Sequence, residues 1–72
     1  DVEITKEEIL QAVEKLSEKH RIVVTLYLLE GYDHVEISSI INIPVKTSRV
    51  RLRRARLQLQ VLLKSRKNEA RY

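Results

Sequence analysis

The sequence predicts a small all-α domain, and three observations support this prediction. The chain has 72 residues with one Gly, one Pro and no Cys, Phe, Trp or Met, so little interrupts a helix and the core must be aliphatic. Apolar residues recur at intervals of three and four, which is the spacing of a helical face. Capping residues precede several of these segments. We expect one four-helix domain over residues 1–72, with helices at about 5–16, 18–30, 33–41 and 45–67.

The first two helices are predicted from their ends. Thr5 and Glu8 have the spacing of a capping box, in which each side chain satisfies a backbone amide of the other residue. Ser17 is expected to cap the second helix, and Gly31 to end it in a left-handed conformation. Residues 22–29 are apolar on nearly every side, which predicts that the second helix is the most buried of the four.

The third helix and the turn after it follow from similar signals. Asp33 and Glu36 repeat the capping box, with Asp in place of Thr. Asn42 tolerates a left-handed conformation, and Pro44 fits the start of the next helix, where its missing N–H is not needed. Ser38 is small, which allows the third and fourth helices to approach closely.

The fourth helix is the longest, because residues 45–67 contain neither Gly nor Pro. Its apolar stripe, which should face the core, consists of Val45, Ser48, Leu52, Ala55, Leu59 and Leu62. The opposite face carries Lys46, Val50, Arg53 and Leu57, flanked by Arg49 and Arg56 on one side and by Thr47 and Arg54 on the other. Such a helix is suited to lie on a negatively charged partner.

Charge divides sharply between the two parts of the chain. Residues 1–44 carry four Lys and Arg against nine acidic residues, a net charge of −5, whereas residues 45–72 carry ten Lys and Arg against one Glu, a net charge of +9. A solvated helix face usually mixes both signs. The almost complete lack of acidic residues on the fourth helix therefore favours nucleic acid as its partner.

The sequence also argues against several other classes of function. His20 and His34 lack Cys or acidic ligands at metal spacing and are expected to be ordinary surface residues. Ser38 and Ser39 have neither a Gly elbow nor a partnered base, and the chain has no Gly-rich phosphate loop. No apolar run approaches the roughly 18 residues of a membrane span. We expect neither an enzyme nor a cofactor, a metal site, a small-molecule substrate or membrane insertion.

The third and fourth helices, joined by a three-residue turn, predict a helix-turn-helix at about 33–56, with the second helix basic on its outer face. Ile37, Ile41, Ile43 and Leu52 supply the buried positions that this motif requires. Plain helical bundles often show a similar pattern, so the motif by itself is only moderately specific.

Three segments together resemble region 4 of bacterial sigma factors. They are residues 16–23 (LSEKHRIV), 29–38 (LEGYDHVEIS) and 43–56 (IPVKTSRVRLRRAR), in the order and spacing of that family. The pattern is similar to the extracytoplasmic-function (ECF) group in particular, and EGY followed by TS resembles the form found in Bacteroidetes. The sequence departs from the family at Asn42 and Ser38, where Gly and Ala are usual, and at Lys46 and Val50, where Gly and Ser are frequent.

The resemblance implies the C-terminal domain of a transcription initiation factor. Such a domain binds the −35 element of double-stranded promoter DNA and docks on the flap of the RNA polymerase β subunit, and an anti-sigma factor commonly covers it. The expected location is the bacterial cytoplasm, at the nucleoid. The chain begins without Met, which leads us to expect a fragment of a longer sigma factor.

Helix position distinguishes two sets of candidate DNA contacts. Residues near the start of the outer face are expected at base edges: Lys46, Arg49, Val50 and Arg53. Residues further round the helix are expected at the DNA backbone: Thr47, Arg51, Arg54 and Arg56. We favour base contact for Arg49, whereas Lys46 and Arg53 are equally compatible with phosphate contact. Val50 suits a thymine methyl group, and the departures at Lys46 and Val50 make the family's usual target sequence an open question here.

Leu57 and Val61 lie on the outer side beyond the basic residues and allow two interpretations. They either pack along the stem of the helix or form an apolar patch that the polymerase or an inhibitory partner covers. For the whole chain, two alternatives to a sigma domain stay open. One is the helix-turn-helix output domain of a response-regulator-type activator, and the other is a helical module whose basic face binds an acidic protein.

Overall fold

The computed structural model describes the backbone of residues 4–69 and the side chains of residues 4–65. Its α-helices are α1 (Lys6–Glu14), α2 (Glu18–Val24), α3 (His34–Ile41) and α4 (Val45–Glu69). A π-helical turn, Thr25–Leu29, continues α2. No strand occurs among the described residues, so the predicted all-α, four-helix fold is confirmed. Within the same residues, no helix has both the length and the apolar character needed to cross a membrane.

Both predicted capping boxes are present. The Thr5 hydroxyl accepts a hydrogen bond from the Glu8 amide at 3.2 Å, and the Asp33 carboxylate accepts one from the Glu36 amide at 2.8 Å. In return, the Glu8 carboxylate accepts a hydrogen bond from the Thr5 amide, and the Glu36 carboxylate accepts one from the Asp33 amide. The prediction for Ser17 was wrong in part: it occupies the capping position of α2, but its hydroxyl makes no capping bond and lies 3.2 Å from Nδ1 of His20 instead.

The second helix differs from its prediction in shape and burial. It loses regular α-geometry after Val24, and the Glu30 amide donates to the Thr25 carbonyl five residues back, which is the π pattern. Val23 and Val24 are fully buried, but Leu28 and Leu29 are exposed. The predicted burial on nearly every side therefore holds for Val23 and Val24 but not for the end of this helix.

A short, well-bonded turn joins α3 to α4. Asn42 adopts the predicted left-handed conformation, with φ of 56°. The Ser38 hydroxyl donates to the Ile43 carbonyl at 2.6 Å, and the Ile43 amide donates to the Ser38 carbonyl at 3.1 Å. These two bonds give Ser38 a more specific role than the small size on which its prediction rested. They tie the end of α3 directly to the residue that precedes Pro44 and α4.

The domain is organised around α4, which packs against α1, α2 and α3 in turn. The structure measures 44 × 18 × 18 Å along its principal axes, so α4 runs along the long axis. The core consists of Ala12, Val13, Leu16, Val23, Val24, Ile37, Leu52, Ala55 and Leu59. Since every other helix packs on one side of α4, the core fixes which of its residues face outward.

Candidate nucleic-acid interface

The inner face of α4 matches the predicted apolar stripe. Ser48 and Ala55 are fully buried, Leu52 and Leu59 are almost so, and the two end positions are partly buried. The fully buried positions carry small side chains, which allows the α4 backbone to approach its neighbours closely. This packing fixes the rotation of α4 about its own axis and therefore the direction of every outer side chain.

All four candidate base contacts are exposed on the opposite face. They are Lys46, Arg49, Val50 and Arg53. The three cationic side chains of this set form no hydrogen bond or ion pair within the described part of the chain. A free guanidinium or ammonium group retains its full capacity to donate to a base edge or a phosphate.

The four candidate contacts to the DNA backbone differ in their exposure to solvent. Arg54 and Arg56 are exposed, whereas Thr47 and Arg51 are only partly so. Arg51 lines a further groove together with Ile22 of α2 and Ile41 of α3. Arg51 is therefore closer to the preceding helices than the exposed Arg54 and Arg56 are.

Two grooves run along the flanks of α4 and divide the candidates between them. The first groove is lined by Tyr27, His34, Arg49, Leu52, Arg53, Arg56, Leu57 and Gln60. The second groove is lined by Lys19, His20, Lys46, Thr47, Val50, Arg51 and Arg54. Each groove combines cationic residues of α4 with residues from the preceding helices. Tyr27, His34 and Lys19 belong to this surface although the sequence patterns did not indicate them.

A stack of side chains forms one wall of the first groove. The His34 ring stacks on the Tyr27 ring with centroids 4.7 Å apart and planes 25° apart. The Arg56 guanidinium carbon lies 5.8 Å from the centroid of Tyr27, within the range of a cation–π contact. Arg56 was expected to contact the DNA backbone, and this aromatic contact also influences its position.

Both histidines are more buried than the sequence indicated, and each lies within hydrogen-bond distance of a residue on α4. His20 is only 8% exposed, and its Nδ1 lies 3.1 Å from Oε1 of Gln58 in α4. The expectation of a surface residue was therefore wrong for His20, whose Nε2 is buried with no hydrogen-bond partner among the described residues. His34 is partly buried, and its Nδ1 lies 2.8 Å from Oγ of Ser48. In the described residues, no cluster of three or more His, Cys, Asp and Glu is placed to hold a metal ion.

A separate apolar groove of about 430 Å³ lies where the α1–α2 connection meets the later turns of α4. Leu57 and Val61 line this groove, with 54% and 68% of their surface exposed, opposite Leu16 and Ser17. Leu62 completes the wall on α4. Two large apolar side chains are therefore presented to solvent immediately beyond the basic part of the helix.

The comparison with protein families agrees with this arrangement. Residues 6–59, more than half of the chain, match the family model described as Sigma-70, region 4. That span contains the helix-turn-helix and all the residues that line the two flanking grooves except Gln60. No curated protein matches the chain. The chain belongs to the Sigma-70 region 4 family, a helix-turn-helix family that binds the −35 element of promoters in transcription initiation.

Proposed function

We propose that α4 lies in the major groove of the −35 element, with Lys46, Arg49, Val50 and Arg53 facing the base edges. The observation that carries this proposal is the set of unpaired cations on the face opposite the core-facing stripe of α4. These residues occupy the first turns of α4, the part of a recognition helix that reaches furthest into the major groove. A helix with its side chains is about 10–12 Å wide, which matches a groove of about 12 Å.

The two flanking grooves support a division of labour within this surface. The sugar–phosphate backbones run along both sides of the major groove, so cations on each flank of α4 meet a different strand. Arg56 lies on one flank, whereas Thr47, Arg51 and Arg54 lie on the other. We assign these four residues to the DNA backbone, where they set the position and orientation of α4 without reading sequence.

Selection from randomised duplex DNA tests the proposal. We expect one short motif to be enriched, since several outer side chains face base edges directly. Arg54→Ala should then weaken binding to all sequences to a similar extent and make the slope of log affinity against log salt shallower by about 0.9, because one phosphate contact is lost. The matched control is Lys6→Ala, which removes an exposed cation from α1 and should leave the slope unchanged.

Failure to enrich any motif at low salt, where backbone attraction is strongest, would contradict sequence-specific recognition. That result would instead favour an acidic protein as the partner of the basic face. An enriched motif together with an unchanged slope for Arg54→Ala would retain base recognition by α4 and remove Arg54 from the backbone contacts.

We also propose that the apolar groove beside Leu57 and Val61 receives the flap of the RNA polymerase β subunit. An exposed apolar pair bordering a concave surface is typical of a protein-docking site. Most of the groove lies on α4 after Arg56, so the surface proposed for the polymerase adjoins the DNA-binding surface and shares Leu57 with its first groove. An anti-sigma factor that occupied the same groove would compete with the polymerase for this domain.

Binding of the labelled chain to core RNA polymerase tests this second proposal. Val61→Glu should weaken binding about tenfold or more, because a carboxylate would have to be buried in an apolar contact. Val35→Glu is the matched control, since Val35 is exposed to a similar extent, 66% against 68%, but lies on α3. Equal weakening by both variants, or by neither, would place the docking surface elsewhere.

The group of sigma factors to which the chain belongs is a further proposal, based on the sequence pattern. We infer that the chain is the C-terminal domain of an ECF sigma factor of the Bacteroidetes type, part of a longer protein acting at the bacterial nucleoid. The support is the spacing of EGY, IP and TS along the helix-turn-helix. Binding of the isolated domain to polymerase would also separate this assignment from a response-regulator output domain.

A further inference from the structure

His34 is held in a defined orientation at the edge of the proposed DNA-binding surface. It is the first residue of α3, and its Nδ1 lies 2.8 Å from the hydroxyl of Ser48 on the inner face of α4. The ring also stacks on Tyr27, which in turn lies beneath Arg56. A hydrogen bond and a ring contact from two different elements therefore fix both the plane and the direction of the imidazole.

The other ring nitrogen of His34 is open to a ligand. Nε2 has no hydrogen-bond partner in the part of the chain that the structure describes, and it is not a buried atom. It therefore faces solvent in the first groove. Arg49, Arg53 and Arg56 of α4 line the same groove.

The buried Ser48 hydroxyl suits two charge states of this ring. It is fully inaccessible to solvent, and Nδ1 of His34 is its only side-chain partner within residues 4–65. The hydroxyl can donate to Nδ1 of a neutral ring, which places the proton on Nε2, or accept from Nδ1–H of the imidazolium. In both arrangements Nε2–H points outward as a donor, so the ring can gain charge without losing its buried hydrogen bond.

The charged surroundings favour an anion at this position. The groups that face His34 from other elements are Tyr27 and the three arginines of the groove, all without negative charge near neutral pH. On its own helix, Asp33 and Glu36 are engaged with each other's backbone amides in the capping box. In a helix-turn-helix the first helix crosses the DNA backbone, which brings the start of α3 to the phosphates.

We propose that His34 donates from Nε2 to a backbone phosphate of the bound duplex, and that protonation of its ring strengthens DNA binding as the pH falls. This inference rests on the proposed placement of α4 in the major groove. Imidazole is the ordinary side chain that changes charge between pH 5 and 8. An imidazolium beside a phosphate adds one positive charge to the contact, so binding by the protonated ring is tighter and more sensitive to salt.

The test measures the affinity of the whole chain for its selected duplex at pH 6 and pH 8 over a range of salt concentrations. For the unmodified chain we expect binding roughly 3- to 10-fold tighter at pH 6 than at pH 8, because the hydrogen bond from His34 to the phosphate becomes charge-assisted. The slope of log affinity against log salt should steepen by up to about 0.9. Calorimetry in buffers of different ionisation enthalpy should show proton uptake on binding.

Two variants of His34 separate the contact from its charge. His34→Gln keeps a neutral donor but cannot be protonated, so it should lose the pH dependence and the proton uptake and bind more weakly than the unmodified chain at pH 6. His34→Phe keeps an aromatic ring on Tyr27 but has no donor, so binding should be weaker at both pH values and independent of pH. Thermal unfolding of each variant at both pH values establishes that the measured chain is folded.

The possible results distinguish a failure of this inference from a failure of the proposed function. Since the chain has two histidines, pH dependence that persists in His34→Gln would assign it to His20 or another group and overturn this inference. Tight binding with no pH dependence in the unmodified chain would overturn it as well, while leaving the proposed function intact. Absence of binding by the unmodified chain to any duplex would overturn both.

Discussion

Ile37→Ala should lower the free energy of unfolding by about 2–5 kcal/mol, the range for truncating a fully buried Ile. Ile37 has no exposed surface and lies where α3 packs against α4. A chain of this length has a total stability of about 4–11 kcal/mol, so the loss removes a large part of it. Urea unfolding followed by far-ultraviolet circular dichroism measures the change, and DNA binding should fall in parallel as folded protein is lost.

The matched control is Ile40→Ala in the same helix. Ile40 is 51% exposed, so the same truncation there should change stability by only about 0.5 kcal/mol or less. Ala has a higher helix propensity than Ile, so a loss from Ile37→Ala that is no larger than the loss from Ile40→Ala could not be ascribed to propensity. That result would contradict the position of Ile37 in the core.

Arg49→Ala should relax the sequence preference at one base pair of the selected motif. A bidentate contact from Arg to guanine O6 and N7 contributes about 1–3 kcal/mol of discrimination, which corresponds to roughly 5- to 150-fold in relative affinity. Arg49 is exposed on α4 and has no ion pair in the described residues. Competitive titration against duplexes substituted at each position of the motif would identify the base pair that it reads.

Two comparisons make the Arg49 result specific. Arg49→Lys keeps the positive charge but lacks the planar fork, so it should lose most of the discrimination while retaining the salt dependence. Arg54→Ala should weaken all sequences uniformly. If Arg49→Ala also weakened every sequence alike and made the salt slope shallower by about 0.9, Arg49 would contact phosphate and not a base.

Local sequence signals predicted much of this fold. The capping boxes at Thr5 and Asp33 depend on residues three positions apart, and the left-handed conformation of Asn42 depends on its own side chain. The buried stripe of α4 follows from helical periodicity alone, which is reliable over a helix as long as Val45–Glu69. The surface that faces away from the core is therefore also predictable.

The remaining features depend on contacts between distant residues or on local deviations from α-geometry. His20 approaches Gln58 across 38 positions, and no pattern near His20 indicates that partner. The π-helical turn after Val24 has the same apolar composition as a buried α-helix, so periodicity could not show that Leu28 would be exposed. The stack of Tyr27 on His34 requires both this turn and the register of α3.

The unpaired cations of α4 also affect the free domain. Lys46 and Arg49, Arg49 and Arg53, and Arg53 and Arg56 are like-charged neighbours three or four positions apart, a spacing at which repulsion weakens a helix by about 0.2–0.5 kcal/mol per pair. Dissolved ions screen this repulsion, and they also compete with the domain for DNA. Added salt therefore stabilises the unbound helix and destabilises its complex with DNA. In that complex the phosphates of promoter DNA replace dissolved anions in offsetting the repulsion along α4.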